Sequence, residues 1–379
     1  MARALLVSNG LSEDLIVGII ARGLQAEGVA VTAYPLVGLG AHPPDIPLLD
    51  PRRDLPSAGF SFRAGLRGLG ADLVGGIVGL WFGQRRTLHA QRGRYDTVIA
   101  VGDTYCLYMA GAASSHVTFV ATADSANISP FGFLPRVALR RFAGRIFTRD
   151  PETAEALRAM GCRAECVGVV MLDQLQTTGE TFGLDRATPV VVLLPGSRRD
   201  APDNAALLAA TAEAISRGAP DVRFLMPIAF SVSSDDVRAR IRTTGASITL
   251  TPLFADALAR ADVVIGLAGT ANEQAAGLGK PVVAFPGHGA QFGPSFLSTQ
   301  HRLLGDALQP VANAPAAAAA AVALLRDPEE RRRRGEIGRR RMGPPGATRR
   351  LVTALLALLE PGAPPVSREI EASSPARSG

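Results

Sequence analysis

The stretch from Ile265 to Gln291, I-G-L-A-G-T-A-N-E-Q-A-A-G-L-G-K-P-V-V-A-F-P-G-H-G-A-Q, has the spacing most suggestive of chemistry in this chain. An apolar run ends at Gly266. Small residues lead through Gly269, Thr270 and Ala271, and Asn272, Glu273 and Gln274 open a predicted helix. A second apolar run, Pro281 to Phe285, enters a Gly-rich loop that ends at Gln291. The pattern predicts strand, phosphate-sized turn, helix and strand. Backbone N–H groups at a helix start favour anions, and a turn without side chains lets a diphosphate come close. A nucleotide diphosphate fits that chemistry. Thr270-x-x-Glu273 also reads as a capping box, in which both side chains satisfy helix N–H groups. The two roles are compatible, because a Glu held beside a diphosphate can accept hydrogen bonds from ribose hydroxyls.

Leu194-Pro195-Gly196-Ser197-Arg198 places an arginine just past another apolar run. A guanidinium neutralises a diphosphate with fixed geometry. A metal ion commonly does that job, but the chain has no Asp-x-Asp pair and its five histidines are scattered. A metal-independent site is expected, with Ser197, Arg198 and the helix start at Thr270 stabilising a leaving phosphate. The plain alternative for Arg198 is an exposed surface arginine. Near the N-terminus, Ser8-Asn9-Gly10 forms a turn before a predicted helix from Ser12 to Glu27. Glu13 and Asp14 fall in its first turn, where carboxylates offset the helix dipole in any case. Gly102-Asp103 ends a third apolar run, so Asp103 is either a cleft carboxylate or a turn cap.

These groups need elements to hold them. Apolar runs recur at Ala4–Val7, Thr97–Val101, Val117–Ala121, Val190–Leu194, Val222–Pro227, Val263–Ile265 and Val282–Phe285, and the more polar Ile146–Asp150 follows Val117–Ala121 as a further element. Strands buried on both faces read this way, which predicts α/β units with parallel sheets. The 379 residues exceed one ordinary core, at roughly 100–200 residues per domain. Two domains are expected, 1–175 and 186–342, joined by the polar segment Thr177–Ala187. Cys166–Val170 reads as the last strand of the first. After Gly343-Pro344-Pro345-Gly346 an apolar helix, Leu351–Leu359 within 347–360, follows, and 361–379 is expected to be disordered.

The formal charge is +6, and Lys280 is the single lysine among 40 basic residues. Such a chain suits anionic lipid or phosphorylated partners, and nothing in it points to nucleic acid. The three cysteines lack paired spacing and read as free thiols in a reducing cytoplasm. The opening residues do not follow a secretory-signal pattern. Leu69–Gly83 is the most apolar stretch, too short for the ~20 residues a bilayer span needs. With Arg63, Arg67, Arg85 and Arg86 around it, 63–86 reads either as a buried core helix or as one dipping into an anionic lipid interface. The clusters Arg331–Arg334 and Arg339–Arg341 read as a solvated helix face, with phosphate or lipid contact as the sharper alternative.

L-P-G-S-R after a strand, then G-T-x-x-E, a Lys-Pro strand and a Gly-rich loop with Gln resembles the lipid-A-disaccharide synthases. S-N-G-x-x-E-D near the N-terminus, V-G-D at Val101–Asp103, F-T-R-D-x-x-T-A from Phe147 and V-G-x-x-M-L-D from Val167 resemble the synthase-related proteins more closely still. The resemblance runs from about residue 4 to 360. It implies a GT-B fold, with two Rossmann-like parallel-sheet domains facing across a cleft and a C-terminal helix crossing back to the first. It also implies inverting transfer from a UDP-sugar, such as UDP-N-acetylglucosamine, to a membrane-anchored acceptor, with the UDP-sugar as substrate and no cofactor. The first domain would then lie peripherally on the inner face of the membrane.

On this reading Asp103 is the base that deprotonates the acceptor, with Asp14 second and Asn9, Gly10 and Glu13 on the acceptor-side loop. Gly269, Thr270 and Ala271 lie near the diphosphate, Glu273 binds the ribose and Gln291 touches the donor sugar or phosphate. The chain departs from the synthases at Gly102-Asp103-Thr104-Tyr105, where they carry an Asp-x-Pro-Asp-Phe type of sequence. It departs again at Ala201, where they have Glu. Two rivals stand beside this reading. A UDP-sugar 2-epimerase shares the fold, but no G-T-R-P-E-like turn occurs here. A non-catalytic nucleotide-sugar-binding protein is the other.

Overall fold

The structure, a computed structural model, describes residues 1–37, 45–52, 77–289 and 292–360. Arg63, Arg67, the start of the apolar stretch at Leu69, Gln291 and the C-terminal tail lie outside the described residues.

Two parallel six-stranded sheets form the framework. The first contains β1 (Arg3–Ser8), β2 (Ala30–Pro35), β3 (Thr97–Gly102), β4 (Val117–Ala121), β5 (Ala143–Thr148) and β6 (Ala164–Cys166), in the order β2-β1-β3-β4-β5-β6. The second contains β7 (Val190–Leu194), β8 (Arg223–Pro227), β9 (Ile248–Thr251), β10 (Val263–Gly266), β11 (Val282–Ala284) and β12 (Leu308–Pro310), in the order β12-β11-β10-β7-β8-β9. Helices cover both faces. In β1, Leu5 and Val7 join one core cluster while Ala4 and Leu6 join another, because successive side chains point to opposite faces. This is the doubly wound α/β architecture expected from the apolar runs.

The interior strands are those the sequence announces, and the edges differ. β2, β6, β9 and β12 are the four sheet edges. Three of them lack a long apolar run, and β6 ends at Cys166, where the expected strand Cys166–Val170 begins. Gly168, at φ 92°, turns the chain there, and Val170–Gln174 closes as a 3₁₀ turn instead of continuing the strand.

The C-terminal helix, Ala347–Ala357, buries Ala347, Leu351 and Leu355 in the first sheet's cluster beside Ile16, Ile20 and Leu24. The chain thus crosses back from the second sheet, as expected. Asp173 fixes the crossing by accepting the Gly346 and Thr348 N–H groups at 2.7 and 2.6 Å.

The helix Ile77–Ala90 runs past Gly83 through Arg85 and Arg86. Leu80 and Leu88 are buried while Phe82 is exposed, so its described part is neither wholly core nor wholly surface. Arg85 lies over the Trp81 and Tyr108 rings, 5.7 and 4.6 Å from their centroids, and donates to the Tyr108 carbonyl.

Candidate active site between the two sheets

The strand order of the second sheet reverses between β7 and β10, which pair with Leu194 opposite Gly266. Open α/β sheets bind ligands at such a reversal, beyond the strand ends. Pro195–Arg198 and Gly269–Glu273 leave these adjacent strands at the same edge. Gly196 has φ 95°, and a Cβ on it would stand 3.2 Å from the Leu267 carbonyl oxygen, so a side chain there would be both strained and crowded.

The turn after β10 is braced from beneath. Buried Asn272 donates through Nδ2 to the Gly266 carbonyl at 3.2 Å and to Gln300 Oε1 at 3.0 Å. Gln300 Nε2 donates to the Ala268 and Gly269 carbonyls at 3.2 and 2.9 Å. With those carbonyls engaged, and the Asn272 and Glu273 N–H groups bonded to the Gly269 carbonyl, the Thr270 and Ala271 N–H groups are what this turn offers a ligand. Asn204 ties the neighbouring loops together, donating to the Pro195 carbonyl at 3.3 Å and accepting the His288 N–H at 2.7 Å. Sequence reading assigned no role to Gln300 or Asn204, and the only signal is a buried amide on each helix.

Ser197 and Arg198 are exposed. The Ser197 carbonyl accepts Ser231 Oγ at 2.9 Å, and the Arg198 carbonyl accepts the Ala201 N–H at 2.9 Å as the helix Ala201–Gly218 begins. The capping box expected at Thr270 does not form. Gly269 is the N-cap of the helix Thr270–Gly277 and no side chain caps it. The Glu273 carboxylate has a stronger partner elsewhere, described below.

The first sheet reverses between β1 and β3, where Ser8 lies opposite Val101. Ser8 Oγ donates to Asp14 Oδ1 at 2.5 Å, and Asn9 Nδ2 donates to Asp103 Oδ1 at 3.4 Å. Gly10 is the N-cap of the helix Leu11–Ala26, its carbonyl accepting the Asp14 N–H at 2.9 Å. Asp103 caps the helix Thr104–Ala110 by accepting the Cys106 N–H at 3.0 Å. Burial pushes the Asp14 carboxyl up to about 7; the Ser8 hydroxyl opposes this and the Glu13 charge adds to it. Burial also raises Glu13, with its backbone hydrogen bond opposing, the Glu273 charge adding and Arg149 subtracting.

A cavity of about 200 Å³ separates the two edges. Ser12, Glu13 and Ile16 line it from the first helix, Thr122 and Ala123 from beyond β4, Thr148 and Arg149 from the end of β5, Val167–Met171 from the turn after β6, and Thr270, Glu273 and Gln274 from the helix that follows β10. Of the residues singled out in the sequence, Glu13, Thr270 and Glu273 therefore meet in one cavity. Asn9, Gly10, Asp14, Asp103, Ser197, Arg198, Gly269 and Ala271 do not line it.

Arg149 is the principal residue that sequence reading left without a role. Its Nη2 donates to Glu273 Oε2 at 2.6 Å, across the cleft, and its Nη1 donates to the Thr122 carbonyl at 3.1 Å. Its Nε and the nearby Thr122 Oγ1 are buried without hydrogen-bond partners. Burial is the largest influence and works against the Arg149 charge, but the Glu273, Asp150 and Glu13 carboxylates together outweigh it and hold its pKa above the ordinary value. The signal in the sequence was an arginine directly between a buried strand and the Asp150-Pro151 helix start.

No protein-family model matches the chain. It is 32% identical to the lipid-A-disaccharide synthase of Syntrophotalea carbinolica over 152 residues, which is 36% of each chain. The matched region thus spans about a third of the length of that curated relative. Among solved structures, MurG of Acinetobacter baumannii superposes with a TM-score of 0.61 at 15% identity, covering 94% of this chain and 98% of MurG. The UDP-GlcNAc 2-epimerase of Neisseria meningitidis, bound to UDP-GlcNAc, gives a TM-score of 0.57 at 15% identity, covering 93% and 99%. The fold is GT-B, as the resemblance implies. At these identities the superpositions establish the fold alone.

Proposed function

We propose that the chain is an inverting, metal-independent glycosyltransferase. It moves N-acetylglucosamine or a related hexosamine from a UDP-sugar to a membrane lipid or lipid-linked acceptor. The observation that carries this reading is that two strand-order reversals face each other across one cleft. One presents a helix start with Glu273, with Arg198 on the adjacent strand end; the other presents Glu13, with Asp14 and Asp103 following the same strand ends.

In this reading the donor diphosphate lies over the helix start at Gly269, Thr270 and Ala271. Ser197 and Arg198 approach it from the adjacent strand end. The charge that develops on departing UDP is met by a guanidinium and by the positive end of a helix. Glu273 accepts the ribose hydroxyls, and Gln291 reaches the donor sugar or phosphate. Asp103 takes the proton from the acceptor hydroxyl as that oxygen attacks the anomeric carbon. The carbon–oxygen bond to UDP breaks on the opposite face, which inverts the centre. Asp14 is the alternative base, and its pKa of about 7 suits proton acceptance near neutrality. Glu13 lines the acceptor side.

The acceptor's membrane is met by the first domain, with the protein peripheral on the cytoplasmic side. The 63–86 segment is one contact. The helix Phe133–Phe142 supports a second, because Phe133, Leu134 and Val137 are 79, 57 and 47% exposed beside exposed Arg136, Arg140 and Arg141. An apolar ridge with arginines around it suits an anionic interface. Among the described residues no helix is long and apolar enough to cross a membrane.

Incubating the protein with a panel of UDP-sugars and total membrane lipid, then identifying products by mass spectrometry, tests this reading. A parallel incubation of UDP-N-acetylglucosamine without acceptor tests the epimerase alternative, which requires the manno epimer to appear.

A further inference from the structure

We infer that Arg149 is an interdomain latch that competes with the donor nucleotide for Glu273, so that donor binding and release of the domain contact are one event. The inference rests on the proposed ribose role of Glu273.

Among the described residues, Arg149–Glu273 is the ion pair that joins the two halves of the chain, and its side chains are 10 and 18% exposed. Other contacts across the cleft run to neutral groups: Gln274 to the Met171 carbonyl, Arg302 to the Ile128 carbonyl and Arg341 to Asn127 Oδ1. Glu273 stands on the first turn of the helix that follows the anion-favouring turn. A vicinal diol that donates both hydroxyls to a carboxylate uses both oxygens, and Arg149 already takes one acceptor site of Oε2 at 2.6 Å. A ribose seated on both oxygens therefore meets the guanidinium at Oε2 while the latch is made.

Arg149 is also connected to the crossing point between domains. Its Nη2 lies 3.7 Å from Met342 Sδ, the last residue before Gly343-Pro344-Pro345-Gly346. Its backbone carbonyl borders Gly343, whose added Cβ would lie 3.9 Å from it. One side chain thus touches the donor-side helix, the end of β4 through the Thr122 carbonyl, and the residue preceding the crossover. Opening the pair frees the Glu273 carboxylate and removes a charged tie between the domains. It leaves the guanidinium facing the cavity beside Glu13, whose carboxyl already feels the Arg149 charge.

A residue that only supports the fold would weaken ligand binding when removed. A competitor for the carboxylate does the opposite, because a closed state reduces apparent affinity by the fraction of molecules that are open. Titration calorimetry with UDP and with 2′,3′-dideoxy-UDP distinguishes these cases, using R149M, which keeps part of the apolar stem, and R149Q, which can still donate to the Thr122 carbonyl. R149M should bind UDP about 5- to 10-fold more tightly than wild type, with R149Q changing in the same direction. Neither should gain affinity for the dideoxy analogue, which lacks the hydroxyls. Thermal melting identifies any variant that fails to fold.

Equal or weaker UDP binding by both folded Arg149 variants, with E273Q impaired, overturns the latch and leaves Arg149 as a residue that orients Glu273. The ribose reading survives that result. Unchanged UDP affinity in E273Q overturns the ribose reading, and the latch with it.

Discussion

Leu194 and Gly266 lie opposite each other in parallel register at the reversal of the second sheet, so the loops carrying Arg198 and Glu273 start from neighbouring strand ends. That adjacency unites two motifs about seventy residues apart in sequence into one proposed diphosphate site, although Arg198 stands in solvent and Glu273 lines the cavity.

Arg198→Ala should leave thermal stability nearly unchanged, within about 0.5 kcal/mol, because the side chain is exposed. It should weaken UDP binding roughly tenfold while uridine binding holds, since a charge-assisted contact to phosphate is what is lost. Calorimetry with both ligands measures the difference. An equal loss for uridine would place Arg198 elsewhere than beside the phosphates.

Asp103→Asn separates chemistry from capping. Asn is as good an N-cap as Asp, so the helix Thr104–Ala110 should persist and the melting temperature should move little. Turnover should fall by about 10²- to 10⁴-fold with KM nearly constant, the signature of a lost general base. Full activity in this variant would transfer the role to Asp14.

The pH dependence of Asp14 has a definite sign. Its folded-state pKa of about 7 lies above its ordinary value of 3.8, so the native chain binds the proton more tightly than the unfolded one. This group therefore makes stability fall as pH rises from about 4 to about 7, with the full cost present above that range. Asp14→Asn should melt higher than wild type at pH 8 and match it near pH 4. If Asp14 is the base, kcat/KM should rise through an acid limb near pH 7, because only the carboxylate accepts a proton.

Membrane contact is tested on the helix Phe133–Phe142. Replacing Phe133, Leu134 and Val137 together with Ser should reduce sedimentation with vesicles containing anionic phosphatidylglycerol. The fold should be unaffected, since all three are exposed. Removing Arg140 and Arg141 should weaken binding by about 1 kcal/mol per arginine, and added salt should reduce that effect. Binding that is insensitive to all five changes would shift the contact to 63–86.

What the sequence made legible follows burial. β1, β3, β4, β7, β8, β10 and β11 are interior strands that announce themselves as apolar runs, while interior β5 shows only Ile146-Phe147 before the Asp150-Pro151 helix start. The edge strands Ala30–Pro35, Ile248–Thr251 and Leu308–Pro310 are short or broken by polar residues and carry no such run, although Tyr34 of the first is fully buried. In the site, local signals were readable: the glycines at the turns, and Glu13 and Glu273 at helix starts. Contacts made across the fold were not. Gln300 braces a turn from 28 residues away, and Arg149 meets Glu273 from 124 residues away. Nothing in the Thr270-x-x-Glu273 spacing distinguishes a cap from an interdomain ion pair, because the competing partner is supplied by the other sheet.

The most direct test of the central claim is transfer itself. The protein is incubated with UDP-N-acetylglucosamine labelled with ¹³C in the sugar, together with total membrane lipid, and the lipid fraction is weighed by mass spectrometry. The account predicts a lipid carrying one labelled N-acetylhexosamine, released UDP in equal amount, and loss of both in Arg198→Ala and Asp103→Asn. Intact nucleotide sugar with an unlabelled lipid fraction across the hexosamine donors, or conversion to the manno epimer alone, would contradict it.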